Sequence, residues 1–264
     1  MLNTINPKYL EKSTITQLAS DFQNGFPYKH IVLDNFLNPE FADSLYNNFP
    51  SIEKLHKHYK GLNENKSEGS NFEDFDPVFS QVRGEVMTDE FAKWMAEITG
   101  INGVFVTEDK LGTGLHQGGD GSFLDIHVDF SIHHVKNVHR RLNMLIYLNK
   151  NWKEEYGGGM EMWNADMTKM EKMVMPVLNR CLIFETNQIS YHGYSKINIP
   201  EGETRKSFYT YFYTPLEEDE KVKYHDTIFK TKPTDSTYKK VGTKFKETAK
   251  NSIKGVLKGL GLLK

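Results

Sequence analysis

The sequence lacks the features of several specialised protein classes. It has a single cysteine, Cys181, which excludes an intrachain disulfide and suits a reducing compartment. No stretch reaches the roughly 18 consecutive apolar residues that span a bilayer, and the first residues lack the apolar core of a signal peptide. We therefore predict a cytoplasmic protein without a membrane-spanning segment.

A strong net charge is also missing, but the charge is unevenly distributed along the chain. The formal net charge is −2 for 264 residues. Residues 221–264 contain 12 lysines and three acidic residues, so this segment carries +9 and residues 1–220 carry −11. The acidic body argues against nucleic acid as a partner. For the basic segment, contact with an anionic membrane surface, contact with a partner protein and packing on the body all stay open.

From about residue 103 onward, short runs of β-forming residues alternate with turn residues. Clusters of Gly, Asn, Asp and Pro separate these runs. The runs are residues 103–111, 123–130, 140–149, 159–164, 171–177, 180–186 and 205–214. Seven short strands in about 110 residues predict a sandwich or jelly roll.

The segments on either side of this β-rich region have other patterns. Helical spacing of apolar residues is found at 14–24, after Pro39 and at 89–100, whereas 30–37 has the pattern of a strand and the polar residues 56–77 predict an exposed loop. We predict three parts. They are an N-terminal support of helices and strand (1–102), a β core (103–215) and a basic tail (216–264) with an amphipathic helix at 243–263.

One group of residues has the chemistry of a metal site. His127 and Asp129 are two residues apart in a β-type run, so both side chains point to the same side of the strand. On a helix they would lie about 200° apart. His192, from another predicted strand, is the candidate third ligand. Two imidazoles and one carboxylate hold non-haem Fe(II) and leave further positions open, although zinc accepts the same ligands.

Arg205 favours iron over zinc in this sequence. An oxygenase that uses 2-oxoglutarate must neutralise the distal carboxylate of that co-substrate away from water, whereas a hydrolase has no such need. Arginine pairs with carboxylates through a planar fork and keeps its charge. Ser207 shares a strand face with Arg205 and can add a hydrogen bond. The alternative is that Arg205 is a surface charge at the end of a strand.

The order and spacing of these motifs resemble the Fe(II)/2-oxoglutarate-dependent dioxygenases, specifically their prolyl 4-hydroxylase-like group. The resemblance runs from about Leu111 to Thr214. It is carried by GTGLHQGGDGSFLDIHVDF, RRLNMLIYLNKNWKEEYGGGMEMW, RCLIFETNQISYHGYS and ETRKSFYTYFY. It implies a mainly β fold with flanking helices around a double-stranded β-helix, which is a jelly-roll or cupin-like core.

The resemblance also implies roles for individual residues. His127, Asp129 and His192 are expected to be the catalytic Fe(II) ligands, and Arg205 is expected to bind the C5 carboxylate of 2-oxoglutarate. Tyr147 matches a tyrosine that donates to the same carboxylate. A core tyrosine is the alternative interpretation, and the position of Ser207 varies within the family.

The implied reaction hydroxylates an unactivated C–H bond with O2 and releases succinate and CO2, and ascorbate is a further candidate cofactor. The implied substrate is a prolyl residue in a peptide. The alternatives are a small-metabolite hydroxylase of the same mechanism, acting on an amino acid or a sugar, and a non-catalytic jelly-roll binding module.

Three further polar residues lie near these motifs in the sequence. His116 lies in the Gly-rich residues 107–122, which predict a mobile lip over the pocket. We expect His116 to be a surface residue, with substrate contact as the alternative. Arg140 and Arg141 are predicted to be charges at the start of a strand, with recognition of an acidic substrate as the alternative.

Overall fold

A computed structural model describes residues 2–216 and 222–259, with side chains described up to residue 249. This part of the chain contains five α-helices. They are α1 (Lys12–Gln23), α2 (Pro39–Asn47), α3 (Pro77–Val86), α4 (Asp89–Thr99) and α5 (Thr237–Gly259). In the same residues, none of the helices is long and apolar enough to cross a membrane.

The described residues also form one sheet of 13 strands. They are β1 (His30–Asp34), β2 (Lys57–Lys60), β3 (Glu64–Gly69), β4 (Phe105–Val106), β5 (Thr113–Gly118), β6 (Phe123–Val128), β7 (Val138–Tyr147), β8 (Met160–Trp163), β9 (Met170–Val174), β10 (Arg180–Glu185), β11 (His192–Tyr194), β12 (Arg205–Pro215) and β13 (Ile228–Phe229). The main path runs β1-β10-β7-β12-β5-β3-β6-β11-β8-β9, with β13 on β6, β2 on β3 and β4 on β12. This antiparallel, barrel-like sheet with flanking helices confirms the predicted fold class.

Successive side chains along each strand point to opposite faces of the sheet. One face packs on the helices, and the other faces the interior of the barrel. On β12, Phe208 and Phe212 belong to the large hydrophobic core shared with the helices, and Phe212 stacks on Phe91 of α4 with ring centroids 6.0 Å apart. Their neighbour Tyr209 belongs to a second cluster with Tyr147. Burial of each such side chain stabilises the fold by about 1.5–3 kcal/mol. The helices therefore cover one face of the sheet, and its other face is left for the polar site residues.

Two polar segments that the sequence analysis assigned to loops are strands. Residues 57–60 and 64–69, within the predicted loop 56–77, form the β2–β3 hairpin. The predicted lip contains β5, which lies between β12 and β3. These strands lack an apolar pattern because several of their buried groups are charged and paired with one another, as Lys66 and Glu68 are.

The basic tail packs on the body through residues 222–249. β13 pairs with β6, so that Ile228 lies opposite Val128 and Phe229 opposite His127. The helix α5 begins at Thr237, six residues before the predicted start. The predicted apolar face continues at Ile253, Val256, Leu257 and Leu260, which lie outside the described side chains. The three-part division of the chain stays a prediction, and β1, β2 and β3 from its first part join the sheet.

Candidate metal centre

The three predicted ligands come together on two neighbouring strands. β6 and β11 are antiparallel, and His192 lies directly opposite His127. One ligand atom from each of His127, Asp129 and His192 lies within 4.8 Å of the other two. His127 Nε2 is 3.6 Å from Asp129 Oδ1, and His192 Nε2 is 3.4 Å from Asp129 Oδ2. Three donors that converge at this spacing can surround one metal ion.

Both histidines are held in the orientation that a metal requires. The Nδ1 atom of His127 is 2.9 Å from the carbonyl oxygen of Asp125, and the Nδ1 atom of His192 is 2.8 Å from that of Ser190. Each contact is a hydrogen bond from Nδ1–H to a carbonyl. The lone pair is therefore on Nε2, which faces the carboxylate.

The charge states of the centre also suit a cation. Burial, together with nearby His127, lowers the pKa of His192 to about 4, so its imidazole is neutral at physiological pH. Burial alone would raise the pKa of Asp129, but Arg140 and the two histidines hold it well below its usual value. The centre thus presents neutral imidazole and an ionised carboxylate, which are the protonation states that bind metal.

The predicted co-substrate residues lie on adjacent strands of the same barrel. Ser207 on β12 lies opposite Tyr147 on β7, and Arg205 begins β12. The guanidinium carbon of Arg205 is 4.1 Å from the ring centroid of Tyr194 and 5.2 Å from that of Tyr147. All three predicted residues are buried. Arg205 is thus an interior charge, not the surface charge of the alternative interpretation.

Two buried donors in this group have no hydrogen-bond partner among the described residues, namely Tyr147 Oη and Arg205 Nη2. The Nε atom of Arg205 already donates to the carbonyl of Gly158 at 2.8 Å. Burial raises the pKa of Tyr147 to about 12 even though Arg205 opposes this, so the phenol keeps its proton. An unpaired buried donor is costly, and a carboxylate bound here would accept from both. The residues present therefore fit 2-oxoglutarate.

Similarity to known proteins agrees with this geometry. Residues 113–213 match the family described as 2OG-Fe(II) oxygenase superfamily. Over these residues the chain is similar to the members of this superfamily. The resemblance predicted from the sequence motifs is thus confirmed, and the match includes all six predicted site residues.

Proteins that are similar to this chain include several prolyl hydroxylases. Mouse (Mus musculus) prolyl 3-hydroxylase OGFOD1 is 23% identical over 194 residues, which are 72% of this chain and 33% of that protein. This chain thus spans about a third of its curated relative. The crystal structure of a Pseudomonas putida prolyl-4-hydroxylase has a TM-score of 0.53 at 16% identity, covering 75% of this chain and 99% of that one. A Trichoplax adhaerens prolyl hydroxylase, solved with a hypoxia inducible factor peptide fragment, has a TM-score of 0.53 at 15% identity, covering 78% and 95%.

Arg140 occupies a different place in the fold from the one predicted. It is only 2% exposed, because its guanidinium lies over the Tyr211 ring, 3.6 Å from the centroid, and contacts the metal-centre carboxylate. Asn143, which the sequence analysis did not single out, bonds the same carboxylate. Asn143 could have been predicted from the alternation of side chains along β7, because Asn143 and Tyr147 are four residues apart and point to the same inward face.

A cavity of about 240 Å³ opens beside the metal centre. Asp129 and Arg140 are among its lining residues, and Arg141 and Glu185 contribute further charged side chains. The C-terminal segment closes one side through Val222, Lys223 and His225. This cavity is the space next to the centre where a substrate can approach.

His116 belongs to a partly buried ionic cluster and not to a surface lip. Its Nε2 atom is 3.0 Å from Glu68 Oε1, which also pairs with Lys66 Nζ at 2.6 Å. Burial and the nearby Lys66 and Arg205 charges lower the pKa of His116 to about 4, against the opposing effect of Glu68. His116 therefore stays neutral while Lys66 and Glu68 carry the charges.

This neutral histidine predicts an acid-sensitive fold. Between about pH 6.5 and pH 4 the unfolded chain protonates His116 and the folded chain does not, so stability falls as pH falls through this window. The expected loss from His116 is on the order of 1–3 kcal/mol. Urea denaturation of metal-free protein at pH 7.5 and pH 4.5 measures it. His116→Gln, which retains an amide donor to Glu68, should show a smaller loss than wild type; an equal loss in both would contradict the assignment.

Proposed function

We propose that this chain is an Fe(II)- and 2-oxoglutarate-dependent dioxygenase that hydroxylates an unactivated C–H bond, with a prolyl residue of a peptide as its substrate. The observation that carries the proposal is the convergence of two imidazoles and one carboxylate within 4.8 Å. Two unpaired donors in the same barrel, Tyr147 Oη and Arg205 Nη2, support it independently.

In this proposal, Fe(II) is held by His127, Asp129 and His192. The metal supplies the oxidative chemistry when it is bound together with 2-oxoglutarate and O2. The protein orients both imidazoles through their Nδ1 hydrogen bonds, and three protein ligands leave positions for the co-substrate and O2. The same ligands can hold zinc, but the buried Arg205 favours an acidic co-substrate and hence iron.

Arg205, Tyr147 and Ser207 bind the distal carboxylate of 2-oxoglutarate in this proposal. Arg205 offers a charged donor whose Nε is already fixed by Gly158, and the protonated Tyr147 adds a neutral donor. Ser207 is buried opposite Tyr147, and its hydroxyl supplies a third donor. A dry, pre-oriented donor set of this kind binds a carboxylate strongly because little reorganisation is needed.

The substrate class rests on the relatives and on the cavity beside Asp129. The relatives are named as prolyl hydroxylases, and one was solved with a peptide fragment. The cavity is lined by charged and polar side chains that can bond a peptide backbone. An amino acid or sugar substrate is the alternative and is an outcome of the test. Ascorbate as a reductant stays a prediction from the family resemblance.

The test is substrate-dependent conversion of 2-oxoglutarate to succinate with Fe(II) and O2. A library of prolyl peptides is compared with the same peptides carrying alanine in place of proline, and product masses are examined for one added oxygen atom. Stimulation by prolyl peptides alone supports the proposal. Stimulation by free amino acids or sugars would support the metabolite alternative, and no succinate under any condition would favour a binding module.

Arg205→Ala is expected to weaken 2-oxoglutarate binding while the metal stays bound. Loss of a charge-assisted contact of about 1.5–3 kcal/mol corresponds to roughly a 10- to 100-fold higher KM for 2-oxoglutarate. Arg205→Lys keeps the charge but loses the planar fork, so its KM for 2-oxoglutarate should lie between those of wild type and Arg205→Ala. The measurements are KM for 2-oxoglutarate and metal content. An unchanged KM in Arg205→Ala would remove Arg205 from this role.

A further inference from the structure

The carboxylate of Asp129 is held on one of its two oxygens. Oδ2 accepts a hydrogen bond from Asn143 Nδ2 at 2.7 Å, and Arg140 Nη2 lies 3.2 Å from the same oxygen. Oδ1 faces His127 Nε2 at 3.6 Å. The two oxygens therefore have different surroundings. Oδ2 also lies 3.4 Å from His192 Nε2, so each oxygen borders one imidazole, but the Asn143 and Arg140 donors are both on Oδ2.

Arg140 also determines which way the Asn143 amide points. Its Nε and Nη2 atoms donate to Asn143 Oδ1 at 2.9 and 2.7 Å. Because a guanidinium has donors only, the amide oxygen must face Arg140 and the amide nitrogen must face Asp129. Stacking of the guanidinium on Tyr211 and Phe130, with its central carbon 3.6 and 4.6 Å from the ring centroids, fixes Arg140 in turn.

We propose that Arg140 and Asn143, together the Asp129 clamp, keep Asp129 a one-oxygen ligand and so preserve the coordination positions that 2-oxoglutarate and O2 need. This inference rests on the proposed function. Six-coordinate iron with three protein ligands has two positions for a chelating co-substrate and one for O2. A carboxylate that bound through both oxygens would take one of these positions. Both clamp residues are positioning residues, since they act through Asp129.

If the clamp sets how Asp129 binds the metal, replacing Asn143 should change 2-oxoglutarate binding more than metal binding. A residue that only supports the fold would not have this effect. In Asn143→Ala the Oδ2 atom loses its shortest donor, and Arg140 loses the acceptor that orients it, so Oδ2 can turn and chelate the metal. We expect the dissociation constant for Mn(II) to change by no more than about threefold, while that for 2-oxoglutarate on the Mn(II)-loaded protein rises about 10- to 100-fold. The visible absorption of the Co(II) protein should change as well, because it reports coordination number. Arg140→Lys, which keeps the charge without the paired donation, is expected to give an intermediate effect.

The matched control is Asn149→Ala. Asn149 is equally buried just beyond β7, but it bonds backbone atoms of Pro176 and Lys206. Asn149→Ala should lower the free energy of unfolding. It should leave the Co(II) spectrum unchanged, as well as the ratio of the dissociation constants for Mn(II) and 2-oxoglutarate. Calorimetric titrations of Mn(II) and then 2-oxoglutarate provide the constants for wild type and each variant.

Three results would overturn the inference, and they can be told apart. Weaker Mn(II) binding in Asn143→Ala with unchanged 2-oxoglutarate binding would mean that the clamp only supports the ligand. Unchanged binding of both, with a raised KM for substrate alone, would place Arg140 and Asn143 on the substrate. Failure of wild type to bind Mn(II) at all would overturn the proposed function and the clamp with it.

Discussion

Replacement of His127 by alanine is expected to reduce 2-oxoglutarate turnover by at least on the order of 10³-fold, down to background. The side chain supplies one of three converging ligands, and two ligands hold iron too weakly for the remaining groups to act. The protein should stay folded, because His127 bonds only a carbonyl of its own strand through Nδ1. Succinate formation and iron content after anaerobic purification are the measurements.

His30 provides a matched control for this substitution. It is also buried on a strand, and its Nδ1 atom bonds the carbonyl two residues earlier, that of Tyr28, at 2.8 Å, just as in His127. It is not part of the metal cluster. His30→Ala should therefore lose stability but keep iron and turnover. Full turnover in His127→Ala, or equal losses in both variants, would show that His127 is not a ligand.

Replacement of Lys232 by methionine is expected to lower the free energy of unfolding by about 3–5 kcal/mol. Lys232 Nζ lies 2.6 Å from Oε1 of Glu161, whose side chain is 4% exposed. Trp163 Nε1 donates to the other oxygen at 2.9 Å, and the Ser195 hydroxyl also donates to Glu161. Removal of the cation leaves a buried carboxylate without charge compensation. The measurement is urea denaturation at neutral pH.

Lys169 offers the comparison for this pair. It lies 2.8 Å from Glu171, but its side chain is 70% exposed, so Lys169→Met should cost less than about 1 kcal/mol. Adding Glu161→Gln to Lys232→Met should recover part of the lost stability, because it removes the unpaired charge. Similar losses for Lys169→Met and Lys232→Met would contradict a buried ion pair.

The sequence predicted the three candidate metal ligands because their spacing has a direct geometric meaning. Alternate residues of a strand share a face, so His127 and Asp129 had to point the same way, and the resemblance gave His192 and Arg205 their places. The helices α1, α2 and α4 followed from apolar spacing and from the Pro39 and Gly100 signals. At Gly100 the chain takes a left-handed conformation with φ of 74°, as a terminal glycine predicts.

The inner strands could not be predicted by the same argument. Inside this barrel the inward positions of β3 and β5 carry Lys66, Glu68 and His116, so these strands have no apolar period. A pattern of this kind is typical of a solvent-exposed loop. Only the fold shows that these charged residues are one another's partners. Arg140 was misassigned for the same reason, since its burial depends on Asp129 and Tyr211.

The contacts of the basic tail could not be predicted from the sequence either. Lys232 and Lys239 resemble the other lysines of residues 221–264, yet they pair with Glu161 and Asp125, each at 2.6 Å. Asp125 is two residues before His127. The tail thus contacts strands that carry the candidate metal ligands, and only the three-dimensional fold brings these acids and lysines together.

The most direct test of the account is diffraction from anaerobic crystals soaked with Fe(II) and 2-oxoglutarate. We predict one iron bound by both imidazoles and a single Asp129 oxygen, with the distal carboxylate of 2-oxoglutarate between Tyr147 Oη and the Arg205 guanidinium. An iron peak elsewhere, or a co-substrate carboxylate away from these two donors, would contradict it.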